Sequence, residues 1–465
     1  LEDLDKADLI KEQKKIKHVV NVHDKCGTDI EFLPTKQWFI RILGYKQDFI
    51  DQGRKINWYP EFMRIRYENW VNGLEWDWSV SRNRHFGIPI PVWKCEDCDE
   101  IILAKDKELP VDPLQTKKKC PKCKKEAIPE SMVLDTWATS SLTPQINIDK
   151  TKGKMKLPMS LRPQGHDIIR TWAFYTIVRA MLHHGSLPWK DIVVSGNVSL
   201  GGEKMSKSKG NVVDPRTLLE KYGADAMRFW AAGSKLGNDL DYQEKDLVTG
   251  TKMMKKLLNA SRFVFMNLED YDGKKPKKLE KIDSLFLKNL QDLINSVTES
   301  FEKYEYLKVK QTLEQFFWSD FCDNYLEIVK KRVYQGEGEA RKSAQYVLYT
   351  GLLSVIKMLA PIMPFITEEI YQEHFKKLEK DKSVHISSWP EVKKLKSEDN
   401  DFFVFVDLLA KIRQEKSNAK KAMNAEIVLT IDKDTYKKLE AMLKDLMNVV
   451  NATEIKTGKF KVEFI

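Results

Sequence analysis

The chain has 465 residues, a formal net charge of +10 and 42% hydrophobic residues. Because domains usually span ~100–200 residues, this length predicts three or four units with their own cores. The apolar stretches are too short or interrupted to span a bilayer, the first residues lack a signal-peptide layout, and six cysteines are too few for a disulfide framework. These features argue against membrane and disulfide-stapled secreted proteins and predict a cytoplasmic one, while the basic excess permits a polyanionic partner such as RNA.

The first 130 residues are mixed and rich in short breaks. Within them, Thr28–Leu33 alternates between polar and apolar side chains, which predicts a strand. Five tryptophans crowd the following stretch: Trp58, Trp70, Trp76, Trp78 and Trp93. Packing in a core or an interface is the default interpretation for most of them.

Four cysteines form two CxxC pairs: Cys95, Cys98, Cys120 and Cys123. Four thiolates in a tetrahedral array satisfy Zn²⁺ and leave no open coordination position, so residues 95–123 predict a structural zinc ribbon, with free thiols as the alternative. His23 and Cys26 are spaced like half of a second metal site, but the sequence offers no complete second set.

From about 131 to 215 the pattern becomes α/β. Asp191–Gly196 predicts a short buried strand ending in a turn, and Ile168–His183 before it predicts a helix. Asp214-Pro215 marks the start of another helix, with Asp as N-cap and Pro at the first helical position, and Gly223 marks its end.

Residues 245–375 have helical periodicity and predict a bundle of amphipathic helices. A polar break at Asp270–Pro276 interrupts the pattern, and Lys376–Lys382 predicts a loop or a frayed helix end. After Pro390, a Lys-rich helix at roughly Phe402–Ala422 precedes a small α/β pattern. Its predicted elements are two strands and a helix between them: Ile427–Ile431, Tyr436–Val449 and Phe460–Phe464.

The strongest local signal is Lys204-Met205-Ser206-Lys207-Ser208, which lies between Gly201-Gly202 and Gly210-Asn211. Two lysines and two hydroxyls on a glycine-bordered loop can close over a triphosphate and neutralise charge that develops on a leaving pyrophosphate. The alternative is an ordinary solvated basic loop. The surrounding order of buried strand, turn, loop and capped helix favours a nucleotide site at the carboxyl edge of a parallel sheet.

Lys204–Ser208 resembles the KMSKS signature of class I aminoacyl-tRNA synthetases, and Val212–Pro215 and Gly223–Arg228 resemble the segments that follow it. Other segments are similar to the isoleucine, leucine and valine subgroup: Gln37–Phe39, Ser81–Pro91, Asp135–Trp137 and Ala360–Glu369. Asn83 departs from the Gln more usual in this subgroup. Within the subgroup, Asp135–Ser141 and Leu161–Trp172 resemble the archaeal-type valine enzymes, with the isoleucine enzymes as the alternative.

This resemblance implies an α/β plus all-α fold. It consists of the second half of a Rossmann-type catalytic domain with a zinc ribbon, a helical anticodon-binding bundle and a small C-terminal α/β domain. The implied units are the trailing part of the connective insertion with the ribbon (1–130), the second half of the Rossmann domain (131–215), a stem-contact segment (216–250), the bundle (251–390) and the C-terminal domain (391–465).

The resemblance also implies ATP-dependent ligation of valine to its tRNA, with Mg²⁺ and structural Zn²⁺ as cofactors. Lys204 and Lys207 are the implied catalytic residues. The implied ATP site is made of Gly165, Asp167, Gly196, Lys204, Met205, Ser206, Lys207 and Ser208. In it, Asp167 accepts from the ribose hydroxyls; from the residues alone, Asp167 is equally suited to cap the helix that follows.

Four residues are implied to form the amino-acid pocket: Trp137, Gln164, Ile168 and Trp172. Ile168 and Trp172 lie four residues apart and so share a helix face, and a pocket bounded by two indoles would restrict a branched side chain to about the size of valine. Core packing is the alternative for either tryptophan alone. Because hydrophobic pockets discriminate one methylene only ~10–200-fold, isoleucine stays open as the substrate.

The implied partners are tRNA, ATP, valine and the N-terminal half of the same enzyme. Two basic surfaces are candidates for tRNA contact, with a solvated helix end as the alternative. They are Lys330-Lys331-Arg332-Val333-Tyr334 and, on the tail helix, Lys411, Arg413, Lys416, Lys420 and Lys421.

The histidine signature that class I synthetases carry near the N-terminus is not found, because the sequence contains no His-x-Gly-His. The chain also lacks an initiator Met, so we expect a fragment that does not activate amino acid without its N-terminal half. A non-catalytic tRNA-binding protein derived from a synthetase is the alternative from another functional class.

Overall fold

The computed structural model describes residues 1–23, 26–207, 210–391 and 401–465. Its strands are β1 Phe39–Ile40, β2 Asn57–Tyr59, β3 Trp78–Ser79, β4 Ser81–Arg82, β5 Val92–Lys94, β6 Ile101–Leu103, β7 Lys118–Lys119, β8 Glu126–Pro129, β9 Val133–Leu134, β10 Met159–Gly165, β11 Trp189–Ser195, β12 Val198–Leu200, β13 Glu203–Lys204, β14 Leu240–Asp241, β15 Ile427–Ile431, β16 Ala452–Thr457 and β17 Lys461–Phe464.

The α-helices are α1 Glu2–Lys6, α2 Lys46–Lys55, α3 Met63–Asn72, α4 Thr136–Ser140, α5 Thr143–Lys150, α6 Phe174–His184, α7 Pro215–Tyr222, α8 Ala224–Ala231, α9 Glu244–Met266, α10 Lys281–Glu302, α11 Tyr306–Gln315, α12 Leu326–Gln335, α13 Gly338–Leu359, α14 Pro364–Ile370, α15 Lys376–Glu379, α16 Asp401–Asn418, α17 Lys433–Leu439 and α18 Leu443–Val450. Three π-helical segments continue these helices: Ile169–Ala173, Phe316–Tyr325 and Tyr371–Phe375. The helices predicted for the bundle are confirmed, and so are the predicted strands at residues 191 and 427.

A three-stranded parallel sheet with the order β10-β11-β2 forms the centre of the first half. Ile192, Val193 and Val194 are all buried, as expected for a parallel strand covered on both faces. Helices α2, α3 and α6 pack against the sheet, and their rings meet at Phe174. Residues 131–215 therefore share one core with β2, α2 and α3, which the sequence interpretation placed in the preceding region.

The predicted strand at Thr28–Leu33 is wrong. An isolated bridge joins Val22 and Asp29, and Phe32 is 93% exposed. Alternating side chains form a strand only where a neighbour supplies hydrogen bonds and a surface to cover, and among the described residues a single bridge is all this stretch obtains.

The helices α9 to α14 form a bundle around a core rich in aromatic side chains. Phe286 stacks on Tyr325 with the ring centroids 4.0 Å apart. The core continues into the C-terminal unit, where Ile427, Leu429 and Leu446 are fully buried in the same cluster. The bundle and the C-terminal unit thus stabilise each other through one apolar interior.

The C-terminal unit has a three-stranded sheet with the order β16-β15-β17. β15 and β17 were predicted, whereas β16, which runs parallel to β15, was not. None of the helices in the described ranges combines the length and the apolar character needed to cross a bilayer.

Candidate active site

The three parallel strands of the first half end at one edge of the sheet. β10 and β11 finish side by side, with Gly165 opposite Ser195, and β2 lies parallel on the far side of β11. Open α/β sheets bind ligands at the carboxyl ends of their strands. Gly165 is the last residue of β10, Asp167 lies two residues beyond it and Gly196 directly follows β11, so three of the residues predicted for ATP binding lie together at this edge.

Gly196 makes a close backbone approach. A Cβ atom at this position would lie 2.1 Å from the carbonyl oxygen of Asn238 and 2.6 Å from the backbone nitrogen of Asp239. Only glycine lets the segment before β14 lie against the end of β11, and this contact brings residues 238–241 to the edge of the candidate site.

Asp167 points its carboxylate towards the lysine loop. It lies inside the short 3₁₀ helix His166–Ile168. The helical segment that follows has Ile168 as its N-cap and receives no side-chain hydrogen bond there, so Asp167 is not the N-cap that the sequence left open. Its Oδ2 lies 3.5 Å from Nζ of Lys204, and both side chains are about half exposed. A Cβ at Gly165 would lie 2.8 Å from Asp167 Oδ1, so glycine leaves room for the carboxylate.

The lysine loop begins as a β-hairpin of β12 and β13, joined by Gly201 and Gly202, both with positive φ. Asn211 closes the loop, because its Oδ1 accepts from the backbone nitrogen of Ser206 at 2.8 Å and its Nδ2 donates to the carbonyl of Lys204 at 3.3 Å. Lys204 and Lys207 are exposed and Met205 is half-buried, whereas Ser208 lies outside the described residues. This geometry holds Lys204 at the edge of the sheet, where it can contact an anion.

His166 is a member of this edge that sequence reasoning missed. Its Nδ1 lies 2.9 Å from Nη1 of Arg66, and its Nε2 lies 2.9 Å from Nδ2 of Asn197 and 3.3 Å from Oδ1 of Asp239. Asp239 Oδ1 also accepts from the backbone nitrogen of Asn197, and this bond lowers the pKa of the Asp239 carboxyl group. The sequence did offer one indication that His166 belongs to the site, because it lies between Gly165 and Asp167, which were both predicted to bind ATP.

The four residues predicted for the amino-acid pocket come from adjoining elements. Trp172 lies in the π-helical segment beside α4, which carries Trp137, and its indole N–H donates to the carbonyl of Ser140 at 3.0 Å. The guanidinium carbon of Arg162 lies 3.2 Å from the centroid of the Trp172 ring. Gln164 is buried, Ile168 and Trp137 are half-buried, and their role in a pocket stays a prediction.

Arg162 is a buried cation with unused donors. It is 6% exposed, and its Nε and Nη2 have no hydrogen-bond partner among the described residues. The Oε1 atom of Gln164, on the same face of β10, also has none. Burial lowers the pKa of Arg162 to about 10. Buried polar groups are normally hydrogen-bonded, so these atoms indicate a face of β10 that accepts further polar groups.

The four cysteines of the predicted ribbon come together. All four sulfur atoms lie within 4.8 Å of one another, with 3.4 Å between Cys95 and Cys123 and 3.6 Å between Cys98 and Cys120. Tetrahedral zinc thiolates at the usual bond length have sulfur atoms ~3.8 Å apart, so the donor set fits Zn²⁺. The backbone N–H of Cys123 lowers the pKa of the Cys120 thiol to about 7, whereas burial and hydrogen bonds with neighbouring thiols raise the pKa values of Cys98 and Cys123.

The possible half-site at His23 and Cys26 has a sulfur–Nδ1 distance of 3.2 Å. Across the described ranges, the ribbon is the one group of three or more such ligands close enough to hold an ion. A second metal site is therefore not assembled by the described residues.

The candidate tRNA patch on α12 is smaller than the sequence suggested. Arg332 is 8% exposed and its guanidinium forks onto Asp283 at 2.7 and 2.8 Å, so the prediction that it faces outward is wrong. Lys330 pairs with Glu327 at 3.2 Å. Lys331 and Tyr334 stay exposed. A helix pattern gives the face of a residue only to within neighbouring positions, and the buried acid on α10 selects Arg332 for the interior.

The tail helix α16 also has fewer outward cations than predicted. Lys416 is 1% exposed and donates to the carbonyl oxygens of Met423, Ala425 and Val450. Arg413 donates to Asn324 Oδ1 at 2.9 Å. Both therefore fasten the C-terminal unit, and Lys411, Lys420 and Lys421 remain exposed for contact with phosphate.

Two family models match the chain. Residues 6–243 match the class I tRNA synthetases (I, L, M and V), and residues 283–431 match the anticodon-binding domain of tRNA ligases. Curated relatives include the valine–tRNA ligases of Thermoplasma volcanium, 43% identical over 97% of this chain, and of Ehrlichia ruminantium (strain Welgevonden), 42% identical over 99%. The chain spans 58% of the length of each of these relatives.

Solved structures share the fold. The methionyl-tRNA synthetase of Mycobacterium tuberculosis superposes with a TM-score of 0.57 at 21% identity, over 81% of this chain and 71% of that one. The LeuRS of Agrobacterium radiobacter K84 superposes with a TM-score of 0.54 at 17% identity, over 83% of this chain and 51% of that one.

Proposed function

Because the chain belongs to the class I tRNA synthetases of the isoleucine, leucine, methionine and valine group, we propose that it is part of an ATP-dependent valine–tRNA ligase. The observation that carries this proposal is the juxtaposition of Lys204 with Asp167 at the carboxyl edge of the parallel sheet. The amino acid comes from the relatives, since valine–tRNA ligases match almost the whole chain at about two identical residues in five. We propose that the protein is cytoplasmic.

In the proposed reaction, the carboxylate of valine attacks the α-phosphate of ATP, the bond to the β-phosphate breaks and pyrophosphate leaves. Lys204 and Lys207 stabilise the charge that accumulates on the pyrophosphate. Mg²⁺ bound with ATP supplies further charge neutralisation. A hydroxyl of the terminal tRNA ribose then attacks the valyl carbonyl and AMP leaves. Since no protein nucleophile takes part, catalysis rests on positioning and charge.

The proposed nucleotide site uses the edge residues in distinct ways. Asp167 accepts from the ribose hydroxyls, and Gly165 leaves the space for them. Gly196 approaches adenine through its backbone, and the rest of the lysine loop, Met205, Ser206 and Ser208, completes the site. The amino-acid pocket is proposed to be walled by Trp137, Gln164, Ile168 and Trp172.

Two further parts of the molecule serve tRNA and stability in this proposal. The ribbon cysteines hold a structural Zn²⁺, because four thiolates leave no open position for catalysis. The bundle and its exposed Lys331 and Tyr334 contact the tRNA, with the cation meeting phosphate and the ring available to stack on a base.

We also propose that the chain does not activate valine on its own and works with an upstream half that carries the second phosphate-binding signature. The 465 residues contain no His-x-Gly-His sequence. Among the described residues, β10 pairs with a strand on one side only. The unused donors of Arg162 and the unused acceptor of Gln164 lie on one face of that strand and support a further packed element against that face.

ATP–pyrophosphate exchange tests the proposal, with valine, isoleucine, leucine and threonine in parallel. We expect none from the chain alone and valine-dependent exchange once the upstream half is supplied. Lys204→Ala should lower that exchange by about 10²–10³-fold. Lys190→Ala, at the opposite end of β11, should leave it unchanged.

Exchange by the chain alone would contradict the need for the upstream half. Faster exchange with isoleucine than with valine would contradict the substrate. Binding of tRNA without any exchange, even with the upstream half present, would contradict the enzyme and favour a tRNA-binding protein.

A further inference from the structure

The lysine hairpin is paired with a strand that leads into the helical bundle. β14 lies parallel to β12 on the side away from β13, with Ser199 opposite Asp241. Its last residue, Asp241, is followed closely by α9, which begins at Glu244 and is the first helix of the bundle. The position of Lys204 at the end of β13 is therefore linked to the bundle through three adjacent strands.

Asp241 fastens the hairpin at two points. Its Oδ1 accepts from the hydroxyl of Ser199 at 2.8 Å and from the backbone nitrogen of Gly202 at 3.0 Å. Gly201 and Gly202 have φ values of +62° and +82°, and a Cβ at either would meet nothing within 4 Å. A turn of two unpacked glycines is intrinsically flexible, so the carboxylate is the group that restrains it. Consistent with these bonds, the amide of Gly202 lowers the pKa of Asp241.

A second carboxylate next to β14, that of Asp239, holds the start of the hairpin. Asp239 accepts from the backbone nitrogen of Asn197, the residue before β12, at 2.7 Å. It also lies 3.3 Å from His166, the neighbour of Asp167. Lys204 faces Asp167 in turn, so the residues around β14 connect both sides of the proposed nucleotide site.

We propose that Asp241 is a positioning residue that holds the lysine hairpin against β14 and so sets the place of Lys204 at the phosphate site. The attachment of the hairpin to Asp241 rests on the observed hydrogen bonds, while its effect on the reaction rate rests on the proposed function. Lysine acts here as a point charge on a flexible stem, so its effect depends on where the backbone holds it. A displacement of about 1 Å in such a group can cost ~10²-fold in rate.

Two variants of Asp241 separate position from charge. Asp241→Ala removes the acceptor, whereas Asp241→Asn keeps an oxygen that can accept from Ser199 and Gly202. Asp432→Ala is the matched control, because Asp432 likewise accepts from a backbone nitrogen, that of Thr435 at 2.8 Å, but lies in the C-terminal unit. Each variant is prepared as the full 465-residue chain with the upstream half supplied.

Two readouts are measured on each preparation. Hydrogen–deuterium exchange over residues 197–207 should become about tenfold faster in Asp241→Ala and return to near the parent value in Asp241→Asn. In ATP–pyrophosphate exchange, Asp241→Ala should lower kcat about 10–100-fold with the KM for ATP within about twofold of the parent. Asp432→Ala should change neither.

Unchanged deuterium uptake in Asp241→Ala would overturn the proposal, whichever amino acid the enzyme uses. Faster uptake with an unchanged kcat would overturn the link to Lys204. A third outcome is that the parent shows no valine-dependent ATP–pyrophosphate exchange while Asp241→Ala takes up deuterium faster in the hairpin. The role of Asp241 in holding the hairpin would then stand, and the proposed function would fail.

Discussion

Replacing Gly196 by alanine tests whether the close approach of the chain at this point organises the site. The new Cβ would lie 2.1 Å from the carbonyl oxygen of Asn238, whereas ordinary contacts are 3.4 Å or longer. The two backbones must therefore separate by about 1.3 Å, since the obstructing atoms belong to the backbone and cannot rotate away.

That separation would break the hydrogen bonds across the contact. They are Gly237 N to Val194 O at 2.9 Å, Leu240 N to Asn197 O at 2.9 Å and Asn197 N to Asp239 Oδ1 at 2.7 Å. Lengthened to about 4 Å, these bonds are lost, and at ~0.5–1.5 kcal/mol each the local cost is about 2–4 kcal/mol. Because the lysine hairpin pairs with the displaced segment, we expect valine-dependent exchange to fall about 100-fold.

The assay is ATP–pyrophosphate exchange with the upstream half supplied, together with far-ultraviolet circular dichroism to show that the fold persists. Gly44→Ala is the control, because a Cβ at Gly44 meets no atom within 4 Å and the change should be neutral. Exchange by Gly196→Ala within about twofold of the parent would refute the reasoning that this contact positions the hairpin.

Three further predictions address stability, metal and pH. Asp283→Asn leaves the buried Arg332 with Asp445 as its one remaining ionised partner among the described residues and should destabilise the bundle by about 3–5 kcal/mol in urea unfolding followed by far-ultraviolet circular dichroism. Cys95→Ser should reduce bound zinc, measured by elemental analysis, from one ion per chain to well below one. Hydrogen bonds hold the pKa values of Asp239 and Asp241 below the ordinary 3.8, so their stabilisation is complete above that value and is lost only as pH falls through the lowered pKa values. The hairpin should therefore exchange deuterium with pH-independent protection between pH 5 and 8.

Each of these has a contrary result. A triple variant that replaces Asp283, Arg332 and Asp445 by apolar residues should recover most of the lost stability, and failure to do so would contradict the explanation that a buried charge has lost its partner. Full zinc content in Cys95→Ser would contradict the four-cysteine site. A protection step near pH 6, after correction for intrinsic exchange rates, would show that another group controls the hairpin.

Sequence reasoning succeeded where the signal is local. The spacing of the CxxC pairs predicted the four-sulfur cluster, and Asp214-Pro215 predicted a helix start that the structure shows, with Asp214 accepting from the backbone nitrogen of Arg216. The helix start and each CxxC pair depend on residues a few positions apart, whose geometry the backbone determines almost alone. The repetition of the CxxC spacing marked the two pairs as one site, although 22 positions separate Cys98 from Cys120.

It failed where the partner is distant in the chain. His166 contacts Asp239 across 73 positions, and Arg332 is drawn inward by Asp283, 49 positions earlier. The sequence pattern predicts Lys416 as an exposed cation on an amphipathic helix. In the structure it is buried, and its ammonium group donates to three carbonyl oxygens of later segments. Such contacts depend on which elements pack together, and composition and periodicity do not give that order.

The ion pair at Arg332 limits how this polypeptide can be altered at its C-terminal side. Asp283 of α10 and Asp445 of α18 approach the same guanidinium, at 2.7 and 2.9 Å. Removing the C-terminal unit would expose the apolar cluster to water. It would also leave Arg332 without Asp445, one of its two buried carboxylate partners. The C-terminal unit therefore cannot be exchanged between relatives without changes elsewhere in the chain. A graft would have to carry the facing surface of the bundle with it, and natural sequence changes on the two sides are expected to occur in pairs.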